Sequence, residues 1–207
     1  MDALDWIFCH RGLWTSVHEQ NSVISVKNAF KNGYAVEIDL YSVAKEIYVG
    51  HKNIGPIENL ELNFYDITKG RVAINIKSDG LFENIEDRGI NLNSNKSFYF
   101  DGSIPEMFKI RNRNQPHALR ISEFERELPW KPNYIWIDGF VTDWWLTESR
   151  VNEYINEYEV IIVSPEIHKR EPFETWEWIY ELRNSGHKNI SICTDYPNQF
   201  LGLSGDR

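Results

Sequence analysis

Two carboxylates one residue apart, Glu37-Ile38-Asp39, interrupt an apolar run, and a second polar pair, Asn75-Ile76-Lys77, interrupts another. On a strand, side chains two residues apart point to the same side, so Glu37 converges with Asp39 and Asn75 with Lys77. Two carboxylates, an amide oxygen and water suit a hard divalent cation, Mg2+ or Ca2+, at Glu37, Asp39 and Asn75. Arg11 and Lys77 would then face a bound phosphate. His10 and His51 add proton transfer, because imidazole titrates near neutral pH and two can divide general-base and general-acid work across phosphorus. Together these residues read as a metal-assisted phosphodiester site.

Strands and helices must position them. Asp5 to Cys9 is a short apolar run broken by His10-Arg11-Gly12, as expected of a buried strand ending in a turn. A helical pattern follows, with Asn21 as N-cap, Val23, Val26 and Phe30 on one face, and Gly33 as the stop. Further strands are expected at Ala35 to Tyr41, Val72 to Lys77, Ser97 to Asp101, Ala118 to Ile121, Tyr134 to Asp138, Val160 to Ser164 and Asn189 to Thr194. Helices are expected over Thr147 to Tyr158 and Pro172 to Arg183, with less distinct ones after Asp79 and Pro105. Eight strands alternating with helices predict an α/β fold, a compact (β/α)8 TIM-type barrel forming a single domain over 1–207. In such barrels the C-terminal strand ends build the active site. Here those ends carry His10, Asp39, Lys77, Asp101, Arg120, Asp138, Glu166 and Asp195.

The order His10-Arg11-Gly12, Asn21-Ser22, Glu37-Ile38-Asp39 and Val49-Gly50-His51 resembles the glycerophosphodiester phosphodiesterase family within the phospholipase-C-like phosphodiesterases. Ile76-Lys77, Ser164-Pro165-Glu166 and Cys193-Thr194-Asp195-Tyr196-Pro197 are similar to related members. The resemblance implies a barrel in which His10 and His51 act as acid and base, Glu37 and Asp39 hold metal, and Lys77 contacts phosphate. The chain departs from the family pattern at several positions, among them the Asp-Gly turn expected before His51, which is absent, with Lys45-Glu46 nearby. Asn75 stands where the third metal carboxylate is expected, which removes a charge and should weaken the metal. Gln20 replaces a glutamate, and Lys52 an aspartate. The short stretch between His51 and the third expected strand implies that the inserted cap, which handles glycerol-type substrates in many members, is missing or vestigial, and this removes the usual evidence for glycerol; the expected substrate is a small glycerol-, sugar- or polyol-type phosphodiester.

Composition narrows the alternatives. With 207 residues, 42% of them hydrophobic, the chain can bury one sizeable core. A net charge of -9 argues against general nucleic-acid binding, which needs a basic face. No apolar stretch reaches membrane-span length and the first residues lack a signal-peptide pattern, so a cytoplasmic location is expected, with oligomeric state unspecified. The two cysteines, Cys9 and Cys193, read as buried free thiols. Glu37 and Asp39 have an ordinary alternative as ion-pair partners of Arg11 and Lys77, but two carboxylates without a cation would repel, which favours metal. Glu166 and Asp195 read as structural. Core packing is the default for the eight tryptophans, with Trp14 and Trp144-Trp145 the candidates to reach a pocket. The leading function is a metal-dependent phosphodiesterase, a phosphoric diester hydrolase. The alternative is a non-catalytic phospholigand-binding protein on the same barrel. A two-carboxylate glycoside hydrolase leaves the histidines unexplained.

Overall fold

The computed structural model describes residues 4–50, 67, 69–89 and 96–203. His51 lies outside them, as does most of the stretch on which the expectation of a missing cap rests. The chain forms two compact units, Met1–His117 and Ala118–Arg207.

In the first unit, β1 (Ile7–His10), β2 (Ala35–Val43), β4 (Val72–Ile76) and β5 (Phe98–Phe100) are parallel in the spatial order β5-β4-β2-β1. β3 (Glu46–Val49) pairs antiparallel with the end of β2. Helices α1 (Val23–Lys31), α2 (Leu81–Asp87) and α3 (Ile104–Asn112) follow β1, β4 and β5. Strands covered on both faces are apolar throughout, and β4 is buried at every residue. A polar side chain in such a strand therefore needs its own partners. β2 has two, Glu37 and Asp39, each 1% exposed.

The second unit repeats the pattern with β6 (Ala118–Ile121), β7 (Tyr134–Ile137), β8 (Glu159–Val163) and β9 (Ile190–Thr194), parallel in the order β9-β8-β7-β6. Helices α4 (Glu148–Glu157), α5 (Phe173–Asn184) and α6 (Pro197–Gly202) complete it. Thr147 caps α4, its side chain accepting from the Arg150 amide. Trp176 and Phe200 pack edge-to-face at 5.8 Å in the core.

All eight strands expected from the sequence are present, within two residues at their ends. β3 is an addition. It returns from β2 through Ala44-Lys45, both at positive φ (50° and 74°), a two-residue loop whose backbone matches the twist of a hairpin. The α1 N-cap is corrected by one position: Ser22, not Asn21, accepts from the Ser25 amide. Asn21 sits instead at φ 59°, a region that asparagine tolerates better than most residues.

Candidate functional site

Register brings the first-unit residues together. His10 lies opposite Glu37 across β1 and β2, and Asp39 lies opposite Asn75 across β2 and β4. At the end of β1 the chain turns sharply. Arg11 takes φ 59° and Gly12 φ 89°, and the Gly12 amide donates to the Cys9 carbonyl at 3.1 Å. A Cβ on Gly12 would fall 2.4 Å from Ser25 Oγ and 2.8 Å from the Ser25 backbone carbonyl carbon, so the turn seats directly on α1. The Trp14 indole donates to the His10 carbonyl at 2.9 Å and steadies that turn.

Asp39 is the centre of the site. Lys77 Nζ approaches its Oδ1 at 3.2 Å, and Arg11 Nε approaches its Oδ2 at 2.9 Å. Asn21 grips the same residue twice: Nδ2 donates to Oδ2 at 3.0 Å, and Oδ1 accepts from the Asp39 amide at 3.1 Å. The arginine is oriented from its far side by Gln20, whose Oε1 accepts from Nη1 at 3.1 Å. Lys77 in turn is anchored by its own amide, which donates to the Leu40 carbonyl at 2.8 Å.

Glu37 is bonded differently. Its Oε1 accepts from Asn75 Nδ2 at 3.1 Å, its Oε2 from the Arg11 amide at 3.2 Å, and His10 Nε2 stands 4.0 Å from Oε2. Burial, then the neighbouring Asp39 charge, pushes the Glu37 carboxyl above its ordinary range, against the opposing pull of His10, Lys77 and Arg11. A carboxylate in that state gains from an added cation. Asn75 spends its amide nitrogen on Glu37, which leaves Oδ1 buried with no hydrogen-bond partner among the described residues. Two carboxylates and that open amide oxygen form an oxygen donor set that fits a hard divalent cation. Among the described residues no three His, Cys, Asp or Glu side chains cluster.

Five of the seven expected site residues, His10, Arg11, Glu37, Asp39 and Lys77, therefore share one polar cluster with Asn75, the sixth; His51 is outside the described residues. Sequence reasoning missed Asn21, whose N-cap reading hid its grip on Asp39. The signal was the Gln20-Asn21-Ser22 run, in which Ser22 is the better-placed cap. Neither cysteine joins the site. Cys9 and Cys193 are both buried, and burial raises the Cys9 thiol far above its ordinary value.

The polar strand ends of the second unit are occupied internally. Glu166 Oε1 accepts from Thr194 Oγ1 at 2.5 Å and from the Asp195 amide at 3.0 Å, and its Oε2 accepts from Ser164 Oγ. Arg120 Nε pairs with Glu125 at 2.5 Å, and its guanidinium lies 5.1 Å from the centre of the Phe140 ring. Asp138 meets His168 Nε2 at 2.6 Å, a pair the sequence did not suggest because thirty positions separate the two residues. Trp145 is buried, its indole donating to the Thr142 carbonyl, while Trp144 is 72% exposed.

No family model matches the sequence, and no curated protein matches it in sequence. Solved structures do match. A glycerophosphodiester phosphodiesterase from Agrobacterium tumefaciens superposes with a TM-score of 0.66 at 14% identity, over 95% of this chain and 98% of its own. An Oleispira antarctica phosphodiesterase, solved with its product sn-glycerol-3-phosphate, superposes at 0.68 and 13% identity, over 97% and 96%. Their fold is the fold of this chain. The α/β barrel class expected from the strand-helix alternation is therefore confirmed. This chain also spans nearly the whole length of both proteins.

Proposed function

We propose that the protein is a metal-dependent phosphodiesterase acting on a small glycerol-, sugar- or polyol-type phosphodiester. The observation that supports this reading is the convergence of Glu37 and Asp39, inside β2, with Asn75, Arg11 and Lys77 at the C-terminal ends of β1 and β4. The end of the strands is where barrels of this class carry out their chemistry, and solved proteins of the same fold are phosphodiesterases.

Glu37, Asp39 and the Asn75 amide oxygen would hold Mg2+ or Ca2+. When bound, such an ion neutralises phosphate charge and lowers the pKa of a coordinated hydroxyl. Arg11 and Lys77 place two fixed positive charges beside Asp39, where they stabilise charge that builds on the phosphate oxygens. His10, half-buried beside Glu37, would hold or release a proton at Nε2, with His51 the candidate for the complementary proton transfer. Gln20 and Asn21 keep Arg11 and Asp39 in register.

One observation favours a second reading, a phospholigand-binding protein that works without metal. Both oxygens of Asp39 already face protein cations, so the acidic pair is partly neutralised from within. Hydrolysis of bis(p-nitrophenyl) phosphate and of glycerophosphodiesters, with Mg2+, Ca2+ or EDTA, separates the two. Turnover that requires the cation and disappears in His10→Ala and His51→Ala supports the enzyme. Phosphate-monoester binding that persists in EDTA, with no turnover of any diester under either metal, replaces it with the binder.

A further inference from the structure

A cavity of about 370 Å3 lies in the first unit at the other end of its strands. Its walls are Asp5 before β1, Phe30, Gly33 and Tyr34 at the junction of α1 and β2, Lys69, Gly70 and Arg71 before β4, and Lys96 before β5. Arg71 and Lys77 flank β4, six positions apart and roughly 20 Å along an extended strand, so this cavity is separate from the cluster around Asp39.

Three of its lining residues are cationic and one is acidic, in a chain whose net charge is -9. Lys69 and Lys96 are exposed, whereas Arg71 is only 6% exposed. Arg71 is rigidly held: Nε donates to the Lys96 carbonyl at 3.2 Å, Nη1 donates to the Asp5 carbonyl at 3.4 Å, and the guanidinium covers the Phe8 ring at 4.9 Å. Those bonds tie together the starts of β1, β4 and β5, which is a structural task. A clamp of that kind needs neither an open cavity nor two lysines at its rim. Arg presents a planar fork suited to phosphate oxygens. The volume falls within the range of small-molecule sites. Phe30 and Tyr34 add aromatic surface for an apolar substituent.

We infer that this cavity is a second anion site, which takes a phosphate dianion, either free or carried on a small monoester, through Arg71, Lys69 and Lys96. Asp5 opposes that ligand and sets its affinity. The proposal is independent of the reading of the Asp39 cluster as a phosphodiesterase site.

The test is a titration of the full chain followed by backbone amide NMR at constant ionic strength, with inorganic phosphate in one arm and phenyl phosphate in the other. Phosphate should move the amides of Gly33, Gly70 and Arg71. In a Lys69→Gln/Lys96→Gln variant that binding should weaken about tenfold, and in Asp5→Asn it should tighten several-fold, as loss or removal of a nearby charge requires. Lys77→Gln should leave these three amides responding as in the native protein. Tighter binding of phenyl phosphate assigns the cavity to a monoester, and equal binding assigns it to the free ion. The inference is overturned if the three amides do not respond to either probe, or respond equally in the double-lysine and Asp5 variants.

Discussion

Glu37, inside β2 opposite the last residue of β1, and Glu166, just after β8, are both carboxylates beside parallel strands, yet they are bonded in different ways. Glu166 is met by two hydroxyls and one backbone amide, all within the second unit, and these partners link the end of β9 to the segment after β8. Glu37 is met by a side-chain amide and a backbone amide, stands near a histidine, and is shifted by burial and by the adjacent Asp39 toward its protonated form. The first arrangement satisfies charge by hydrogen bonds alone. The second accumulates charge of both signs in one place, which a fold stabilised only by packing has no reason to do. A carboxylate in or beside a parallel strand is therefore informative through its neighbours more than through its position.

The contrast can be broken by activity. His10→Ala should lower diester turnover by about 10²–10⁴-fold while the urea midpoint stays close to native; a variant with full turnover would remove the distinction between the two regions. Asp39→Ala should cost about 3 kcal/mol in urea unfolding, because it strands Arg11 and Lys77 beside each other without their shared counter-ion, and turnover should vanish with it. Glu166→Ala should cost about 2 kcal/mol, for the orphaned hydroxyls and amide, and leave the rate per folded molecule unchanged. If turnover fell as far as in His10→Ala, Glu166 would belong with the first group.

The smallest effect sharpens the comparison through pH. Because the folded Glu37 carboxyl holds its proton above its ordinary pKa of 4.5, the folded state binds more protons than the unfolded one just above that value. Stability in EDTA should therefore decline as pH rises through about 4.5 toward the raised folded pKa, then level off. Glu37→Gln should flatten that part of the curve. Equal slopes in native protein and Glu37→Gln, from denaturant unfolding at a series of pH values, would show that Glu37 is not the group responsible.

Much of the fold could be read from the residues, because buried parallel strands are written as apolar runs and their polar interruptions stand out. Glu37, Asp39 and Lys77 were visible for that reason. β3 was not. Its turn uses Ala44-Lys45 where Asn-Gly is the usual signal, and its four residues lack a distinctive apolar run. Asn21 was misread because an asparagine before a helix fits a cap equally well, and only the three-dimensional placement of Asp39 decides between the two roles. Asp138 and His168 lie on separate segments, so their pairing had no local signature. Arg71 had no sequence signal at all, because its burial and its two carbonyl partners come from segments far apart in the chain.

The close seat of Gly12 on Ser25 has a genetic consequence. The turn that follows His10 and the helix that follows Asn21 meet with no room for one methyl group, and Gly12 also requires a left-handed backbone. A single extra carbon there would push α1 outward and, through Asn21, move the carboxylate of Asp39. In a saturation library selected at high temperature position 12 should return wild type alone, and Gly12→Ala should behave as a heat-sensitive allele although residue 12 is not itself among the proposed site residues.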